Sequence, residues 1–194
     1  MKFDAVNKGT IGANAIVTVT GDSSVVATGA CMVVCDDTFE GKRYMEFTCV
    51  SGFPLSGGMG FLHESEDITT KASAFFNVFT SYPNICPNID VQRSTCRLGT
   101  GSGAYSSFGG GALRFMIAID TATGEIWGGY NGVWVTNDPT GAGVRTGLTP
   151  GKYTPLFATF GAESVDFFLE KADCNHDIPD GFLAVNEVSV VAVA

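Results

Sequence analysis

Met116-Ile117-Ala118-Ile119-Asp120-Thr121-Ala122-Thr123-Gly124-Glu125-Ile126-Trp127-Gly128-Gly129-Tyr130-Asn131-Gly132-Val133-Trp134 is a run of short strands and tight reversals. The apolar segment from Leu113 to Asp120 is a strand, closed by the polar turn Thr121-Ala122-Thr123-Gly124. Glu125 to Tyr130 returns beside it as a hairpin partner. Asn131-Gly132 then turns the chain again, because both central positions of a type I′ turn need positive φ, which Asn and Gly tolerate. Val133-Trp134-Val135 follows as the next strand.

The same grammar extends in both directions. Ala15 to Thr20 alternates and stops at Gly21-Asp22, Ala30 to Cys35 is continuously apolar, and Tyr44 to Val50 alternates again. Met59 to Leu62 and the aromatic-rich Ala74 to Phe79 are further short strands. Lys152 to Thr159 and Ser164 to Leu169 pair around Gly161, and the apolar tail from Phe182 to Ala194 supplies a closing strand. No window of a dozen residues carries a helical apolar stripe free of glycine and β-branched runs. Many short strands with frequent turn signals predict an all-β, two-sheet antiparallel β-sandwich. One long stretch, about Ser81 to Gly111, reads as irregular: it is rich in Gly, Ser, Asn and Pro. A loop of that length inside a compact domain is usually functional.

Composition agrees with this class. The chain has 194 residues, 45% of them apolar and 16% charged, which suits one domain with its own core. Its 25 glycines have no collagen-like period and serve reversals. The formal charge of −9 with no Lys/Arg cluster disfavours nucleic acid and anionic lipid as partners. No apolar stretch is long enough to span a bilayer as a helix, and the N-terminus lacks an apolar signal region, so synthesis and folding in a cytoplasm are expected.

Six cysteines are present: Cys31, Cys35, Cys49, Cys86, Cys96 and Cys174. A chain this size folds without bridges, and three of the six sit in strand-like runs, so structural thiols are expected. Cys86 and Cys96 are the pair placed to close a loop if a bridge forms. Their spacings, with only His63 and His176 as histidines, give no zinc pattern.

Several segments resemble SPRY-type domains. Phe39-Glu40-Gly41-Lys42-Arg43-Tyr44-Met45-Glu46-Phe47 resembles their opening GKxYxE strand. Met116 to Asp120 followed by Trp127-Gly128-Gly129-Tyr130-Asn131-Gly132-Val133-Trp134 resembles their central W-x-G-x-N-G-x-W hairpins. Tyr153 to Phe157, Val165-Asp166-Phe167 and Ile178-Pro179-Asp180-Gly181-Phe182 are similar to the closing elements, with Asp166-Phe167-Phe168 replacing the family's N-F-G. The resemblance implies a concanavalin-like, SPRY-like jelly roll over the whole chain: lead-in strands in 1–38, the matching region in 39–182 and a closing strand in 183–194. It also implies a protein-binding module, of the kind found in bacteriophage structural proteins.

Individual residues weigh toward binding over catalysis. Trp127 and Trp134 offer faces for sugar stacking, but seven residues across a turn favours core packing. Asp173, Asn175, Asp177 and Asp180 begin like a calcium loop, yet the sixth position is Ile178 and the twelfth Ala184, so a solvated Asx-rich turn is preferred. Cys174 and His176 alternate on one loop, which seldom aligns nucleophile and base. Glu64, Glu66 and Asp67 read as a charged turn rather than a glycosidase pair. The GxGxG at 99–103 lacks a strand-to-helix context and reads as loop.

The function expected from the resemblance is a non-enzymatic virion protein, a decoration or cement protein bound to the major capsid protein on the surface of a phage head. A trimer at a capsid symmetry axis is one arrangement. The alternative is a receptor-binding or lectin-like adhesin recognising a host glycan or receptor; a glycan-degrading enzyme ranks third. No cofactor or metal is implied. Tyr82, Asn84, Arg93 and Tyr105 are the candidate binding residues, because binding groups favour loops on rigid scaffolds.

Overall fold

The structure, a computed structural model, describes residues 1–10, 16–21, 23–51, 57–66, 88–92, 95–98, 105–107, 114–134, 138–141, 146–159 and 161–187. Two antiparallel sheets account for nearly all regular structure among them. Sheet A runs, in spatial order, β1 (Phe3–Thr10), β4 (Cys31–Cys35), β13 (Tyr153–Thr159), β6 (Gly57–His63), β7 (Asn88–Gln92), β8 (Thr95–Leu98) and β9 (Tyr105–Ser107). Sheet B runs β12 (Val133–Trp134), β11 (Glu125–Tyr130), β10 (Arg114–Asp120), β5 (Lys42–Ser51), β14 (Glu163–Phe168), β3 (Ser24–Ala27) and β2 (Val17–Thr20). A short β15 (Leu183–Ala184) adds to β5 in parallel. The fold is the all-β sandwich that the patterning predicts.

The central hairpins form in the expected register. Ile119 opposes Ile126 and Ala118 opposes Trp127, and Tyr130 opposes Val133 across the second turn. Asn131 and Gly132 take φ of +47° and +80°, the pair of positive values a type I′ turn requires. A one-residue slip would exchange every inward side chain for an outward one, so the alternation itself holds the register.

The core lies between the sheets. Met45 and Phe47 of β5, Phe115 and Ile117 of β10, Val165 and Phe167 of β14, and Phe157 of β13 all point into it. Phe47 stacks on Phe115 with centroids 4.9 Å apart, and Phe167 meets Phe3 at 4.4 Å and Phe157 at 6.5 Å. Each such ring contributes about 1.5–3 kcal/mol of transfer free energy. In sheet A both faces of β4 and β13 are buried, which is why Cys31–Cys35 reads as an unbroken apolar run.

Two expectations change. The stretch 81–111 is not simply irregular: β7, β8 and β9 form a meander that widens sheet A. Asn88-Ile89-Asp90-Val91-Gln92 alternates with period two, a signal hidden between glycine-rich flanks. Among the described residues of the tail, Leu183–Ala184 is strand, and Glu187 N–H then donates to the Ala184 carbonyl at 2.9 Å, turning the chain. Strands β1 and β3, which the patterning did not single out, line the sandwich beside β4 and β14. The expected strand at 74–79, the tail beyond 187 and Cys86, and with it the Cys86–Cys96 pairing, lie outside the described residues.

Candidate functional site

The outward face of sheet B divides into a covered half and an open half. Register puts Tyr44, Ala118 and Trp127 in one outward row, and Glu46, Met116, Gly129 and Trp134 in the next. Over these rows the chain folds back after β14, through a single 3-10 turn at Lys171–Asp173, and lays Cys174, Ile178 and Phe182 on them. Trp127 is buried, edge-on to Phe182 at 5.7 Å, with its Nε1 donating to the Gly141 carbonyl at 3.2 Å. Trp134 is half-buried, 6.2 Å from Tyr44. Both tryptophans are packing groups rather than an open stacking platform. Gly129 is needed here, because a Cβ would stand 2.5 Å from the Val133 carbonyl oxygen.

Glu46 anchors the returning segment. Its fully buried carboxylate accepts from Tyr44 Oη at 2.8 Å, from Arg114 Nε, and from the backbone N–H groups of Asn175 and His176 at 3.1 and 2.9 Å. Burial raises its pKa, but the hydrogen bonds outweigh burial and hold the group below the usual carboxylate value. Arg114 also donates to the Asp173 carbonyl and lies over the Phe168 ring. Together these contacts satisfy a buried charge that would otherwise be costly.

The acidic segment is thus tied down by backbone donors rather than opened to a ligand. Among the described residues no three His, Cys, Asp or Glu side chains gather in a metal-holding group. Cys174 Sγ lies 3.4 Å from the Glu170 carbonyl, and burial, reinforced by the Glu46 charge, pushes its thiol up to about 12. A thiol so raised is a poor nucleophile near neutrality. Glu64 accepts from Lys152 N–H at 3.1 Å, a turn contact, while Asp67 lies outside the described residues.

The open half presents a different surface. Ile16, Thr18 and Thr20 lie along β2 and its lead-in, opposite Thr28, Val26 and Ser24, with Ser164 and Asp166 of β14 next. Thr48 and Val50 of β5 complete the face. Ile16, Val26 and Val50 are 63%, 38% and 56% exposed. Asp166 is the one charge among these positions. A concavity of about 540 Å³ opens elsewhere, between Asp37, Glu40, Arg43, Lys152 and Glu187, and its lining mixes both signs of charge.

Of the sequence candidates, Tyr82, Asn84 and Arg93 lie outside the described residues. Tyr105 is not on a loop: it opens the edge strand β9 opposite Arg97. Patterning did not select Ile16, Val26, Val50, Glu46 or Arg114. An apolar residue at the outward position of an alternating strand was the available signal for Val26 and Val50.

No protein-family model matches the sequence, and no curated protein does. Solved structures do match. The SPRY domain of human HERC1 superposes with a TM-score of 0.56 at 12% identity, covering 86% of this chain and 96% of that one. The PSpry domain of TRIM65 gives a TM-score of 0.56 at 15% identity, covering 86% and 87%.

Proposed function

The fold is SPRY-like, and we propose that this chain is a non-enzymatic binding module of a virion, a decoration protein seated on the major capsid protein of a bacteriophage head. The observation that carries it is the open half of sheet B. A face with three exposed aliphatic side chains, and with Asp166 as the one charge among its named positions, stands on a protein whose net charge is −9. Charge depletion at the centre of a patch is the compositional mark of a protein–protein contact. The Trp127 to Trp134 hairpin, which resembles that of phage structural proteins, supports the virion setting.

The test is binding of the purified chain to capsids that lack it, compared with V26K and V50K variants. Saturable capsid binding, weakened at least about tenfold by a lysine on this face, is the expected result. A clear glycan-array hit without capsid binding would establish the adhesin reading instead.

A further inference from the structure

Glu163 has no place in the contacts described so far. It opens β14, directly after the link that carries the chain from sheet A to sheet B. Its side chain shares the inward side of the strand with Val165 and Phe167, and it is 4% exposed. Among the described residues neither carboxyl oxygen has a hydrogen-bond partner. The hydroxyl of Thr159, at the end of β13, is occupied by Gly161: it accepts from Gly161 N–H at 3.1 Å and lies 3.4 Å from that carbonyl. From β5 the facing titratable group is the half-buried Cys49 thiol, and from β3 the register partner is Ala27. No positive group among them offsets a charge on Glu163.

The ladder from β14 to β5 is also interrupted next to this point, while that to β3 runs on unbroken. Ser164 pairs with Ser51 and Val165 with Cys49, so Val50 is an extra residue, a β-bulge beside Glu163. A bulge interrupts the ladder and leaves fewer bonds to resist separation.

We propose that Glu163 makes the start of β14 a pH-sensitive joint: its pairing with β3 and β5 is tight while the carboxyl keeps its proton and loosens when the carboxyl ionises. The physical cause is the cost of a carboxylate in an apolar layer with no facing cation and only the Thr159 hydroxyl at hand. Burial, offset only in part by the nearby Thr159 hydroxyl, lifts the group from 4.5 to about 7, so the tightness present below the lower value is lost as pH rises and is gone near neutrality. The same ionisation places a charge beside Cys49, whose thiol burial and that charge already push up to about 12.

Hydrogen exchange of the full chain, followed by mass spectrometry from about pH 4.5 to 8.5 and corrected for intrinsic rates, tests this. Protection across Gly161–Phe167 is expected to fall about tenfold or more as pH rises from about 4.5 and to level off near 7, while E163Q shows no such fall. Unchanged protection in the native chain, or the same fall in E163Q, overturns it. Should E163Q not fold, carboxyl-carbon NMR of the native chain decides: a midpoint above about 6, at the pH where protection stops falling, supports the joint, and an ordinary carboxylate midpoint rejects it.

Discussion

Arg114 and Glu46 meet diagonally across β10 and β5 on the outward face of sheet B, the guanidinium Nε donating to a carboxylate that solvent does not reach. The pair is more than a strand-to-strand contact, because the same carboxylate holds the backbone of Asn175 and His176. It joins the sheet to the segment that roofs half of it.

Removing the arginine leaves that charge buried with fewer donors. R114M is expected to destabilise the protein by about 3 kcal/mol, the usual cost of breaking one side of a buried pair. Equilibrium urea denaturation checks this, and a loss under about 1 kcal/mol would show the pair to be dispensable.

Acid should release the roof. Glu46 is held below its ordinary value of 4.5 in the folded chain, so its contribution is present above that value and is lost as pH falls through the lowered one. Trp127, edge-on to Phe182 in the roofing segment, reports the event. Its fluorescence is expected to shift as pH drops below about 4, and E46Q should lack that step while being less stable near neutrality.

Two glycines separate crowding from backbone conformation. At Gly129 a Cβ meets the Val133 carbonyl at 2.5 Å, whereas Gly147 has open space but a φ of +79°. G129A is expected to cost several kcal/mol, about the scale of a severe steric change, and G147A only about 1–2 kcal/mol. Thermal denaturation of the two variants ranks them, and the reverse order would refute the packing described around the second hairpin.

Asn131 serves the turn twice. It adopts a φ of +47°, and its side-chain oxygen accepts from Arg114 N–H at 2.9 Å. N131A should lose about 1–2 kcal/mol, and N131G less, because glycine keeps the backbone freedom and forfeits only the hydrogen bond. Denaturant midpoints distinguish the two; equal losses would assign the whole effect to the side chain.

Much of the sandwich was legible because its signals are local. Met116–Trp134 states its own hairpins, and the alternation in β5 and β14 separates inward from outward positions before any partner is known. The meander β7–β9 was obscured because its short strands lie between glycine-rich flanks. Strand β3, with only four residues, gives too short a period to stand out unless β14 is placed beside it.

The sequence by itself determined the class of fold, the type I′ turn and the burial of Trp127, since each depends on spacing within a few residues. Only the tertiary structure decided that Glu46 would meet the backbone of Asn175 and His176, well over a hundred positions away, and that Glu163 would face the interior. It also decided which half of sheet B stays open. Those outcomes follow from which strands become neighbours, and pairing between distant strands leaves no periodic trace in the chain that makes it.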